Sequence, residues 1–220
     1  LDKLFETALR MTEPKELFPL YATRGRCSFA FKDYKSALND YKKADELLAA
    51  KYPQTDGDRI ALLALMGGVE HQLGNYANSE HYYRKYAEYT KALYGENSLK
   101  HINAQIYLAN AEGFVGNVTN GCYNYAAAEQ HLKVLMKQRI PYMSSTEREG
   151  LWESLSSLFT MMTPYALEAK QLQTAFTKNC YDALVMSKSF LLESERSMYD
   201  VIKRNGTAED MHDYTMLACM

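Results

Sequence analysis

The feature that most constrains this 220-residue chain is an internal repeat. Moving residues 25–52 forward by 42 places Gly25 on Gly67, Tyr34 on Tyr76, Tyr41 on Tyr83, Lys43 on Lys85, Glu46 on Glu88, Ala50 on Ala92 and Tyr52 on Tyr94. Composition alone would give about two identities in a window of that length. A repeated unit of this size cannot bury an apolar face by itself, so neighbouring units must stack. Eleven glycines and five prolines leave few places to interrupt a helix.

Inside each unit the apolar spacing is helical. Leu62, Leu63, Met66, Val69 and Leu73 fall at steps of three and four, and Tyr76, Tyr83, Tyr86 and Tyr89 continue that spacing in the next segment. Gly74-Asn75 separates the two stripes and predicts a tight turn between antiparallel helices. Gly25 and Gly67 let the partner helix come close, and a large aromatic one helix later fills the space opposite. That arrangement gives a reason for 18 tyrosines, whose rings pack while their hydroxyls reach the rim. The same pattern places the Tyr76 ring in the interior.

These residues resemble the tetratricopeptide repeat. The second unit carries Met66-Gly67, then Gly74-Asn75-Tyr76-Ala77-Asn78-Ser79, then Tyr83. The first carries Gly25, Asp33-Tyr34-Lys35-Ser36-Ala37, Tyr41 and Ala44, with Arg24 where an apolar residue is usual. In a third unit Ala109 succeeds Gly67 and Gly116 succeeds Gly74, with Ile106 and Leu108 on its first helix. Tyr125 and Ala128 fit the turn pattern there if about seven residues, 118–124, form an inserted loop. Trp152, Leu155 and Phe159 suggest a fourth unit, opened by a capping box from Thr146 to Glu149 and departing from the pattern near Pro164. The 42-residue period is similar to the kinesin-light-chain style of the repeat. The resemblance spans roughly residues 12–172. It implies an all-α, right-handed α-solenoid of antiparallel helix pairs over 1–172, followed by linker-like helices over 173–220.

Beyond Phe176 no turn signal occurs until Asn205-Gly206, which reads as a helix C-cap, and Thr207 with Asp210 opens a last short helix. The stretch from Tyr181 to Ser194 is similar to the segment that precedes a CHAT (caspase-like) peptidase domain in bacterial tetratricopeptide proteins, with Ser189 where Gly is usual and Phe190 where Leu is common. Ser197 to Ile202, followed by Asn205-Gly206, looks like the same linker. The resemblance implies a parent protein that continues into a peptidase domain. None of the histidines or cysteines here corresponds to that domain's catalytic pair.

Within the chain itself, chemistry is sparse. Net charge is −2, which gives no electrostatic case for nucleic acid or an anionic membrane, and no apolar run approaches the ~20 residues of a membrane span. The four cysteines are far apart and read as reduced thiols. Cys122 and His131 offer a candidate nucleophile pair, but a loop thiol and a helix-face imidazole are the favoured reading. His71, His81, His101 and His131 lack ligand spacing, so neither a metal nor a cofactor is expected.

The family holds peptides on a concave face lined by the first helix of each pair. Ala22, Arg26 and Phe29, then Ala64, Gly68 and His71, then Asn103, Ile106 and Asn110 fall at those positions. Arg26, Phe29, His71, Asn103, Ile106 and Asn110 are the candidate partner-binding residues, with the 118–124 segment as a second contact. Arg26 suits a carboxylate and Asn110 a peptide backbone. The competing reading makes Phe29 and Ile106 core and the polar residues solvated. The Lys and Asn positions of the chaperone-binding carboxylate clamp are not reproduced. The expectation is a non-enzymatic scaffold for a protein or peptide partner, or alternatively the regulatory or substrate-presenting arm of a CHAT-type cysteine peptidase, in the bacterial cytoplasm.

Overall fold

The structure, a computed structural model, describes residues 14–139, 142–144, 146–151, 181, 185 and 199–218. The expected fourth-unit residues Trp152–Phe159 and Pro164, and all of the CHAT-like stretch except Tyr181 and Val185, lie outside them. Among the described residues the elements are α1 (Pro14–Ala30), α2 (Tyr34–Ala49), α3 (Gly57–Gln72), α4 (Tyr76–Tyr94), α5 (Leu99–Phe114), α6 (Val118–Arg139) and α7 (Ala208–Ala218), with further helical residues at 146–151 and 199–205. No strand occurs among the described residues. The chain divides into two compact units, Leu1–Asn124 and Tyr125–Met220, with the boundary inside α6.

In the first unit each of α1 to α5 packs mainly on its neighbour in sequence. The turns within pairs share one geometry at the 42-residue period. Lys32, Gly74 and Gly116 have φ of 62°, 78° and 82°, the left-handed conformation that reverses the chain after one helix. The residue that follows each begins the next helix differently. Asp33 accepts a hydrogen bond from the Ser36 N–H at 3.2 Å, whereas the Asn75 amide donates to Glu70 at 2.7 Å.

Glycine against tyrosine builds the core, as the spacing predicts. A Cβ on Gly25 would lie 2.6 Å from the Tyr41 ring, and one on Gly67 would lie 3.0 Å from Tyr83. Ala37, Tyr41, Ala44, Leu48, Leu62, Met66 and Val69 form one buried cluster. Ser79, at the position of Ala37, is buried and donates to the Gly67 carbonyl at 2.9 Å, which satisfies a hydroxyl in the tightest part of the contact. Gly121 continues this series: a Cβ there would lie 2.9 Å from the Ala109 carbonyl.

Three sequence expectations are corrected. Residues 118–124 are not an inserted loop but the first two turns of α6, which starts directly after Gly116-Asn117. The 42-residue register runs on through α6: Tyr125 stands 42 beyond Tyr83, at the aromatic position of the repeat, and is a buried mid-helix residue and not a turn residue. Tyr76 is 37% exposed, because its place in the first turn of α4 lays the ring on the rim and not under it. The capping box sits two residues before the expected one. Ser144 N–H and hydroxyl donate to Glu147 at 2.8 and 2.9 Å, and the Glu147 N–H donates back at 3.3 Å.

In the second unit Tyr125, Ala128, Leu132, Leu135 and Met136 are buried at helical spacing along α6. The helical stretch 199–205 ends at Asn205, as its Asn-Gly signal predicts. Thr207 and Asp210 then cap α7, with Thr207 N–H and hydroxyl each 2.7 Å from the Asp210 carboxylate.

Candidate interaction surface

The six candidate residues stand on α1, α3 and α5, the first helices of three successive units. Arg26 and Phe29 lie almost one turn apart on α1, and both are exposed. His71 is half-buried in the last turn of α3. Asn103, Ile106 and Asn110 share a stripe of α5 at steps of three and four; the two asparagines are half-buried, and Ile106 is buried along with Ala22. The Asn103 side-chain oxygen is buried without a hydrogen-bond donor, an acceptor that a bound N–H would satisfy.

What the structure brings together is aromatic. Phe29 meets Tyr34 edge-on with centroids 5.4 Å apart, and 42 residues later His71 meets Tyr76 edge-on at 5.3 Å. In the second pair a third ring joins: Phe114, from the end of α5, lies 4.5 Å from His71 and stacks on Tyr76 at 5.0 Å. Phe114 remains 51% exposed. Burial among these rings pushes the His71 pKa below the usual imidazole value, which favours the neutral ring. Sequence reasoning missed Phe114. The signal available was the offset that pairs positions 29 and 34 and then 71 and 76, although nothing in that period foretells a ring from the following unit.

Further along α5, Tyr107 stacks on Tyr83 with centroids 5.3 Å apart and planes 17° from parallel, and burial raises the Tyr83 pKa. Two further buried titratable groups are held by hydrogen bonds within the fold. His101 is buried with Nδ1 3.0 Å from the Ala87 carbonyl. Glu112 is buried and accepts from Arg84 at 3.0 Å and from Asn124 at 2.7 Å. Cys122 is a buried helix residue, and burial raises its thiol pKa, the opposite of what an activated nucleophile needs. No group of three His, Cys, Asp or Glu side chains among the described residues is placed to hold a metal ion, and no helix there is long and apolar enough to cross a membrane.

No family model matches the chain, and no curated protein sequence matches it. Among solved structures it is similar to BtubC (BKLC) from P. vanneervenii, at 16% identity and a TM-score of 0.62 over 85% of this chain and 73% of that one. It is also similar to nearly identical TPR-like repeats of kinesin-light-chain type from Podosopora anserina, at 12% identity and a TM-score of 0.52 over 94% of each chain. Likeness at such identities concerns the fold alone: together with the helix pairs above, it gives the described residues an all-α fold of tetratricopeptide-like helical repeats.

Proposed function

We propose that this chain is a non-catalytic scaffold that holds a peptide or protein partner on the face lined by α1, α3 and α5, concave in arrays of this kind. The observation that carries the reading is the His71–Tyr76–Phe114 cluster, three rings packed on one another, of which Tyr76 and Phe114 are open to solvent at the edge of that face. Exposed, mutually supported aromatic rings are rigid anchors that lose little side-chain entropy when a partner covers them. Around them Arg26 supplies a bidentate donor for a carboxylate, and Asn103 and Asn110 supply amides for an extended backbone. Phe29 adds a second ring, and Ile106 contributes floor and not exposed surface. Free Cys27 and Cys122 suit a reducing compartment such as the cytoplasm. Neither nucleic acid nor membrane is a proposed partner, because the charge balance provides no attraction to either.

The test is selection of binders from a random peptide library on the immobilised protein. Selected peptides should lose affinity roughly tenfold or more when Phe114 or Arg26 is changed to Ala, with melting temperatures unchanged. Binders that are insensitive to both substitutions would place the site elsewhere.

A second reading makes the 1–172 array the regulatory or substrate-presenting arm of a CHAT-type cysteine peptidase. It rests on the sequence from Tyr181 to Ser194 and on the kinesin-light-chain-style period. Reading the gene beyond the codon for Met220 decides it: a following domain with a His and a Cys at strand ends supports the arm, and its absence removes it.

A further inference from the structure

Apart from the first-helix face, the first unit contains a cleft of about 300 Å³ where α2, α3 and α4 meet. Its floor is aliphatic, Leu63 and the buried Met66, and its walls include Tyr82 and Tyr89. A volume at the low end of ligand pockets suits a small molecule and not an extended chain.

The polar groups around that floor are unequally satisfied. The Arg59 charge is paired: it grips Asp45 with two hydrogen bonds of 2.7 and 3.2 Å and donates to the Tyr52 carbonyl at 3.0 Å. The Tyr89 hydroxyl donates to the Gln54 oxygen at 2.5 Å, a bond that uses neither Gln54 amide hydrogen. Among the described residues, Lys42, Lys85 and the Tyr82 hydroxyl have no hydrogen-bond or ion-pair partner. Glu46 is the single lining carboxylate left without a cation. Unused donors therefore outnumber unused acceptors, and unpaired positive charge exceeds unpaired negative.

The repeat supplies two described counterparts for comparison. Arg84, at the position of Lys42 in the next unit, is tied to Glu80 and Glu112. Lys43, at the position of Lys85 in the preceding unit, lies over the Tyr21 ring at 5.9 Å. Where its counterparts are occupied, this cleft keeps two ammonium groups free beside an apolar floor.

We infer that the cleft binds a small aliphatic carboxylate, with its chain on Leu63 and Met66 and its carboxylate between Lys42, Lys85 and the Tyr82 hydroxyl. A charge series on one carbon chain tests this. Hexanoate, hexanamide and hexylammonium are titrated into the full chain at fixed ionic strength, and the Leu63 and Met66 methyl resonances are followed. Hexanoate should give saturable millimolar shifts, hexanamide weaker ones and hexylammonium the weakest. Changing both lysines to Gln should weaken hexanoate roughly tenfold, both to Arg should preserve it, and Glu46→Gln should strengthen it about twofold. Equal binding of hexylammonium and hexanoate, indifference to the double Gln substitution, or no saturable shift with hexanoate would each overturn the assignment. Phe114→Ala, which impairs the first-helix face, should leave hexanoate binding intact; if it abolishes that binding, the cleft is not a separate site.

Discussion

At the scale of the residue, the repeat supplies its own controls, because one position recurs in different chemistry. Lys32 adopts the left-handed conformation that Gly74 and Gly116 adopt 42 and 84 residues later. A side chain in that region costs about 1–2 kcal/mol, and glycine's extra freedom in the unfolded chain returns about half of it. Lys32→Gly should therefore stabilise the protein by about 0.5–1 kcal/mol in urea melts, and a loss of stability would mean that the turn is not strained. The glycine–tyrosine contacts give a matched pair. Alanine gains about 1 kcal/mol of helix propensity over glycine. At Gly67 its methyl meets Tyr83 at 3.0 Å, and that ring is half-buried and can shift. At Gly25 the methyl meets Tyr41 at 2.6 Å, and that ring is only 2% exposed. Overpacking costs about 1–3 kcal/mol where neighbours cannot move. Gly67→Ala should come out near neutral and Gly25→Ala destabilising by about 1–2 kcal/mol, a ranking that parallel melts will read directly.

At the scale of the element, a helix pair is joined by more than its apolar stripe. Arg24, which departs from the repeat pattern, reaches across from α1 to Asp40 on α2 with hydrogen bonds of 2.8 and 2.5 Å, and the Asp40 carboxylate is almost fully buried. In the next units the same two positions hold Met66 with Tyr82 and Leu108 with Asn124, so the ion pair is a local replacement for apolar or neutral contact. Removing one partner leaves a buried charge, whereas replacing both restores what the other units have. Arg24→Met alone should cost about 2–4 kcal/mol, discounted for the partly exposed guanidinium. Arg24→Met with Asp40→Tyr should recover most of that, and a double variant as unstable as the single would show that the pair is worth more than its isosteres. The sequence made the departure at Arg24 legible but not its remedy, since Asp40 lies 16 residues away and no local pattern links them. The inserted-loop expectation failed for a related reason. Val118 and Thr119 lack the Tyr-x-x-Ala signature, so local motif matching moved the turn to Tyr125, while the period itself had kept Tyr125 in register with Tyr83. Periodicity was the stronger signal because stacking requires every unit to present the same faces, whereas turn residues need only reverse the chain. The candidate surface was legible as a set of helix positions. The ring cluster that gives it character was not, because Phe114 comes from the following unit.

At the scale of the whole molecule, a chain whose helices touch mainly their sequence neighbours distributes its stability along its length. In such arrays each unit contributes an intrinsic term and an interface term, so damage stays near where it is made unless the interfaces are strong enough to spread it. Gly67→Leu is a sharp probe, because the added side chain wedges α3 from α4 at the Tyr83 ring and should cost about 1–3 kcal/mol. Hydrogen exchange followed residue by residue should then show α3 and α4 losing most protection, with α2 and α5 losing less as their shared interfaces weaken. Helix α7, which belongs to the other compact unit, should exchange as in the parent protein. A globular domain with one cooperative core would behave otherwise, losing protection uniformly across all its helices. Uniform loss after Gly67→Leu would therefore contradict the repeat account at its root, because it would mean that the 42-residue units are not the units in which this protein is stable.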